Sequence, residues 1–127
     1  MTVIKDTNNH IFGAYTSIWW TSDNGTSHKD LKSFMFSVDN KEIYPCKIDA
    51  AHQVCHHSNY GPILGTKANL AVDNNMQSNS NYSYIGGGFT LPAGKDGRTI
   101  LTGGYNFTVS EIEVYMYFWM DHFTLII

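Results

Sequence analysis

Alternation with a period of two runs through FTVSEIEVYMYFWM, from Phe107 to Met120. Ile112, Val114, Met116 and Phe118 occupy one set of positions, and Glu111, Glu113, Tyr115 and Tyr117 the other. That spacing puts one set on each face of an extended strand, whereas a helical stripe repeats every ~3.6 residues. A strand with one apolar face needs a second layer over that face. The same rule recurs upstream. Phe34, Phe36 and Val38 alternate with Ser33, Met35 and Ser37, which predicts a strand with one strongly apolar face. His10 to Trp20 reads as another strand. Phe12, Ala14, Thr16, Ile18 and Trp20 share one face, and Ile11, Gly13, Tyr15, Ser17 and Trp19 the other. Both faces carry aromatics, so both are expected to be partly covered.

The remaining elements are short. Thr2 to Lys5 is a β-branched run, and Asn8-Asn9 is a turn signal that makes a hairpin with the strand from His10. Asp39-Asn40 supplies a second turn, after which Glu42 to Ile48 returns beside Phe34 to Val38, with Pro45 at an edge or bulge. Asn69 to Asp73 reads as a strand, Asn74 to Ser83 as a polar surface loop, and Gly86-Gly87-Gly88 and Ala93 to Gly97 as flexible breaks. Only Ser27 to Lys32 offers a helical turn, with Ser27 as its cap. The sum predicts an all-β fold, an antiparallel two-sheet β-sandwich with one or two short helical turns. No repeat or internal linker divides the 127 residues, so residues 1–127 are expected to form a single domain.

Hydrophobic residues make up 43% and charged residues 15%, which suits a packed core rather than a disordered chain. The net charge is −3 and the basic residues do not cluster, which argues against nucleic acid as a partner. Two cysteines make no disulfide framework, and the opening MTVIKDTNNH has no apolar signal core, so a cytoplasmic location with reduced thiols is expected. Three glycosylation sequons, starting at Asn24, Asn81 and Asn106, then carry no meaning beyond a chain rich in Asn, Ser and Thr. The apolar run from Tyr115 to Ile127 is interrupted by Asp121 and His122 and falls short of the ~20 residues of a spanning helix. No transmembrane segment is expected, and residues 118–127 read as an apolar C-terminal tail.

Three constellations invite a chemical reading. Cys46, His52, Cys55 and His56 lie close in sequence, but zinc sites use compact ligand pairs at regular spacing, and no second pair follows. A thiol catalyst built on Cys55 would need a thiolate-stabilising environment. Glu111 and Glu113, two apart on a strand, would stand ~6.6 Å apart, a separation that overlaps the carboxylate pairs of inverting glycosidases. Such pairs usually come from different strands, and an exposed polar edge is the simpler account. IGGGF, from Ile85 to Phe89, has neither the helix nor the lysine of a phosphate loop. No catalytic, metal or cofactor-binding residue is assigned, and Cys55 stays as a redox candidate. Trp19, Trp20 and Tyr60 are alternative stacking platforms for a carbohydrate.

The order of these features carries more than any one of them. VIKDTNNHIFGAYTS is followed by Trp19-Trp20, then SFMFSV, then SNYGPILGTKANLAVDNN, then NSNYSYIGGGF, and last FTVSEIEVYMY. This succession resembles the TLDc domain of the oxidation-resistance protein family over roughly Thr2 to Tyr117, and its Asn-rich style is similar to TLD-type proteins of protists. The resemblance implies a two-sheet sandwich with a few short helices. It also implies a helical segment before the first strand, so a chain that opens on that strand is expected to be N-terminally incomplete. Gly61, Pro62 and Gly65 fall on the family's Gly-Pro-x-x-Gly turn, and Glu113 on its characteristic glutamate. The implied role is that of a non-catalytic interaction module, linked to oxidative-stress protection and to binding the vacuolar proton pump. The implied location is cytoplasmic, peripheral to vacuolar or endosomal membranes through a partner. A thiol- or carboxylate-based enzyme and a carbohydrate-binding sandwich are the alternatives.

Overall fold

The computed structural model describes residues 1–20, 25–50, 52–58, 60–65, 70–78, 80–118 and 122–125, the strand residues 117–118 and 122–125 by backbone alone. The strands, in chain order, are β1 (Thr2–Asp6), β2 (Ile11–Tyr15), β3 (Thr26–His28), β4 (Phe34–Ser37), β5 (Glu42–Pro45), β6 (Val54–His56), β7 (Tyr60–Leu64), β8 (Leu70–Asp73), β9 (Asn81–Ser83), β10 (Asn106–Phe107), β11 (Val109–Phe118) and β12 (His122–Leu125). They form two antiparallel sheets, one in the order β12-β11-β1-β2-β4-β5 and the other β10-β9-β8-β7-β6-β3. The all-β two-sheet expectation holds. No described residue is helical, so the expected helical turns are corrected. In Ser27 to Lys32, Ser27 and His28 instead pair with Cys55 and Val54 of β6. A single helical turn there would leave that ladder unmade and would have no apolar stripe to bury.

The hairpin of β1 and β2 forms with Ile4 opposite Phe12. Asp6 staples its turn: its carboxylate accepts the Asn8 and His10 backbone N–H groups, each at 2.9 Å. The second strand is shorter than expected and stops at Tyr15, because Asp30 captures the chain at Thr16 and Ser17. Ile4, Phe12, Ala14, Met35 and Tyr44 form the inner face of the first sheet. They meet Leu64, Leu70 and Val72 from the second. Full burial of such side chains contributes about 1.5–3 kcal/mol each. Phe12 and Phe107 make an edge-to-face contact at 5.1 Å. The irregular stretch from Tyr84 to Tyr105 contributes Ile85, Phe89 and Leu101 to the same core.

One strand has its faces the other way round from the simplest reading. Met35, flanked by Ser33 and Ser37, points into the core, while Phe34 and Phe36 are only half-buried and Val38 is exposed. The register decides this: Met35 stands opposite Ala14 and Tyr44, both buried. Phe36 stands opposite Gly13 on the outer face. A Cβ on Gly13 would lie 2.0 Å from the Thr2 carbonyl oxygen and 2.8 Å from Phe36 Cζ, so the ring occupies the space that glycine leaves. Three boundaries also move. Glu42 to Ile48 pairs with β4 only as far as Pro45, on the sheet edge; the Pro45 carbonyl accepts Thr90 N–H, and Cys46 bridges Phe89. The polar loop after Asn74 ends early, since Asn81 to Ser83 form β9. Residues 122–125 of the apolar tail turn back on β11, with Leu125 opposite Tyr115.

Candidate functional site

Two adjoining cavities share Trp20 and Val114, and the second of them opens between the sheets. One, of about 210 Å³, is lined by Tyr15 to Trp20 together with Met1 and Val114 to Met116. The other, of about 350 Å³, is lined by Thr2, Trp20, His57, Ser58, Tyr60, Gly61, Pro62, Asn74 and Val114. Trp20 and Tyr60 therefore meet in one cleft, and Trp19 borders its neighbour with 67% of its surface exposed. Trp20 is held edge-on to the His56 ring at 5.8 Å, and His56 is buried against His28 at 4.8 Å.

The loop that carries both tryptophans is tied down by Asp30, which is 4% exposed. Thr16 Oγ1–H and Ser17 N–H donate to Asp30 Oδ2, and Ser17 Oγ–H donates to Oδ1, all at 2.7 Å. Lys32 N–H adds a fourth bond at 3.1 Å. Burial alone would raise the Asp30 pKa. The bonds from Ser17, Thr16 and Lys32 favour the carboxylate more strongly, and the net result is a pKa below the ordinary value. Asp30 N–H in turn donates to the buried Gln53 Oε1 at 2.6 Å, and the Gln53 carbonyl accepts Gly65 N–H at 2.6 Å. A chain of hydrogen bonds thus runs from Gly65 through Gln53 and Asp30 to the Trp19-Trp20 loop. Neither Asp30 nor Gln53 stands out in the sequence. The carboxylate's main donors lie 13 and 14 residues away.

The Gly-Pro-x-x-Gly positions have distinct places. Gly61 and Pro62 sit where the register of β7 against β8 shifts between Tyr60 and Ile63, and this bulge lines the larger cavity. Gly65 has φ +88°, a left-handed backbone that side chains other than glycine adopt at a cost. Glu113 stands opposite Val3 on the outer face of the first sheet, and its carboxylate accepts a hydrogen bond from the Tyr115 hydroxyl. That bond, helped by burial and by the carboxylate's charge, raises the phenol's pKa. Glu111 shares the face and reaches Lys5 Nζ at 3.8 Å.

The thiol and imidazole candidates are dispersed rather than gathered. Cys46 Sγ–H donates to the Leu31 carbonyl at 3.2 Å, and Cys55 Sγ–H points to the His56 carbonyl at 3.8 Å. Among the described residues no group of three or more His, Cys, Asp or Glu side chains is placed to hold a metal ion. Cys55 lies on the outer face of the second sheet near Tyr82, whose phenol is raised above its ordinary pKa by burial and then by Tyr105, Tyr60 and Cys55. IGGGF lies against the end of β5, where Gly88 accepts Lys47 N–H at 2.8 Å and Phe89 is fully buried.

The family model of the TLDc domain matches residues 1–118 of the 127. The chain belongs to the TLDc family. Among curated proteins, none matches it at a significant level. The TLDc match covers both sheets up to the end of β11, including the Gly61-Pro62 bulge, the Gly65 turn and the Asp30 network. No described helix of this TLDc domain is long and apolar enough to cross a membrane.

Proposed function

We propose that this TLDc domain is a non-catalytic protein-interaction module that acts in oxidative-stress protection and on the vacuolar proton pump. The observation that supports an interaction role is its exposed apolar surface. Trp19, Val38 and Ile43 are 67%, 51% and 64% exposed while the core between the sheets is filled by other side chains. Membership of the TLDc family supports the choice of partner. A cytoplasmic location, peripheral to vacuolar or endosomal membranes through the pump, follows from the same reading. The test is co-purification of the domain with the isolated peripheral sector of a vacuolar proton pump, paired with peroxide survival of cells that express it. Association with the pump and raised survival are expected. A folded domain that neither binds the pump nor changes survival overturns the reading.

A second reading has one observation in its favour. Trp20 and Tyr60 line a single cleft with Asn74, His57, Ser58 and Thr2, aromatic rings beside polar groups with no carboxylate among them, which suits an uncharged sugar. Titration with neutral oligosaccharides, followed by tryptophan fluorescence, separates the two; a saturable response that Trp20→Ala and Tyr60→Ala both abolish would favour the sugar.

A further inference from the structure

The outer face of the first sheet is a grid. One row runs Glu113, Val3, Gly13, Phe36 and Ile43, each opposite the next across neighbouring strands. The row beside it runs Glu111, Lys5 and Ile11, and Ile11 C=O accepts Val38 N–H at 2.9 Å. On the other side Tyr15 stacks on Phe34 at 5.3 Å with the rings 25° apart. The β11 column is acidic, with Lys5 pairing Glu111, and the columns of β2, β4 and β5 are apolar. Phe36 lies in the space left by Gly13, so the middle of the apolar field is flat rather than ridged.

The size of this field selects its occupant. Ile43 and Val38 are 64% and 51% exposed, and Val3, Ile11, Phe34 and Phe36 are half-buried. With roughly 150–250 Å² for an aromatic side chain, the field exposes on the order of 400 Å² of apolar surface. That is about half of the ~800 Å² per partner in a standard interface, too little for a second copy of the domain packed face to face. Strands spaced ~4.8 Å apart and rows ~7 Å apart give a field roughly 15 Å on each side. A helix about 10 Å across, rising 1.5 Å per residue, covers it in about three turns. Glu113 and Glu111 disfavour an anionic lipid surface and favour a basic flank on the partner.

We propose that this face docks an amphipathic helix of a partner protein, whose apolar stripe lies on Ile11, Phe34, Phe36, Val38 and Ile43 and whose Lys or Arg flank meets Glu113. The proposal rests on the interaction-module reading, but not on the pump as the partner. The probe is a synthetic 14-residue helical peptide with leucines at i, i+3, i+4 and i+7 and lysines along one flank, compared with a counterpart carrying glutamates there. Titration by fluorescence anisotropy is expected to show at least tenfold tighter binding of the lysine peptide to the full chain. Ile43→Asp and Val38→Asp, both at exposed positions, each weaken it at least tenfold while the far-UV circular dichroism stays that of the wild type. Glu113→Gln narrows the gap between the two peptides. Equal binding of both peptides, or binding indifferent to Ile43→Asp and Val38→Asp, overturns the proposal. Phosphatidylserine vesicles that bind the chain and release Ile43→Asp overturn it in favour of a membrane. A dimer in sedimentation that Ile43→Asp dissociates overturns it in favour of a second copy. Peptide binding without pump association overturns the pump reading and leaves this surface standing; pump association without peptide binding does the reverse.

Discussion

Removing the Asp30 carboxylate tests how the Trp19-Trp20 loop is held. Four donors converge on it: two hydroxyls, from Thr16 and Ser17, and two backbone N–H groups, from Ser17 and Lys32. A hydrogen bond to a charged group contributes about 1.5–3 kcal/mol, so four come to about 6 kcal/mol at the low end of that range. The hydroxyls lie near the surface and regain water once released, which roughly halves the loss. Asp30→Ala is expected to cost about 3–4 kcal/mol, and Asp30→Asn, which keeps the shape but turns an amide N–H₂ toward two of the donors, about 2 kcal/mol. The pH dependence has a definite sign. The Asp30 pKa is lower in the folded than in the unfolded state, so its contribution is present above the unfolded value and is lost as pH falls through the folded one. Urea denaturation of wild type and Asp30→Asn at neutral pH, then at steps below pH ~4, should show the gap closing in acid. Tryptophan emission should shift to the red in Asp30→Ala before the global transition, as the loop is released. A stability gap that stays constant down to the lowest pH, or that is under about 0.5 kcal/mol at neutral pH, refutes the role given to the carboxylate.

Other expectations concern single positions. Gly65→Ala, at φ +88°, is expected to cost about 1–2 kcal/mol by thermal denaturation, since the new Cβ meets a left-handed backbone. Asn81 is fully buried; its Nδ2 group donates to the carbonyls of Met76, Ser78 and Phe107, and its Oδ1 accepts Asp73 N–H. Asn81→Asp faces a carboxylate toward three carbonyls and should destabilise by about 3 kcal/mol or more, read from the urea midpoint. The same burial keeps the sequon at Asn81 closed to a glycosyltransferase in the folded chain. If the domain is non-catalytic, Cys55→Ser leaves the rate of peroxide consumption by purified protein unchanged; a loss of turnover would restore the thiol enzyme.

What was legible in the chain was local. The period of two in β11, the hairpin signal at Asn8-Asn9 and the turn at Asp39-Asn40 each depend on neighbours within a few residues, and each element appears where its pattern lies. The succession of motifs also carried the family, because order along the chain needs no coordinates. Three things were decided only by tertiary structure. The inward face of β4 belongs to Met35 rather than to its two phenylalanines, because Ala14 and Tyr44 flank that position and Gly13 makes room for Phe36 on the other side. The Thr16-Ser17 bend that ends β2 comes from a carboxylate more than ten residues away. The cleft joins Tyr60, Gly61 and Pro62 of the second sheet to Val114 of the first and to Trp20 in the segment after β2, residues far apart in sequence. Periodicity divides a strand into two faces, but which face is inner depends on what the neighbouring strands bring opposite it, and that is a property of the assembled sheet.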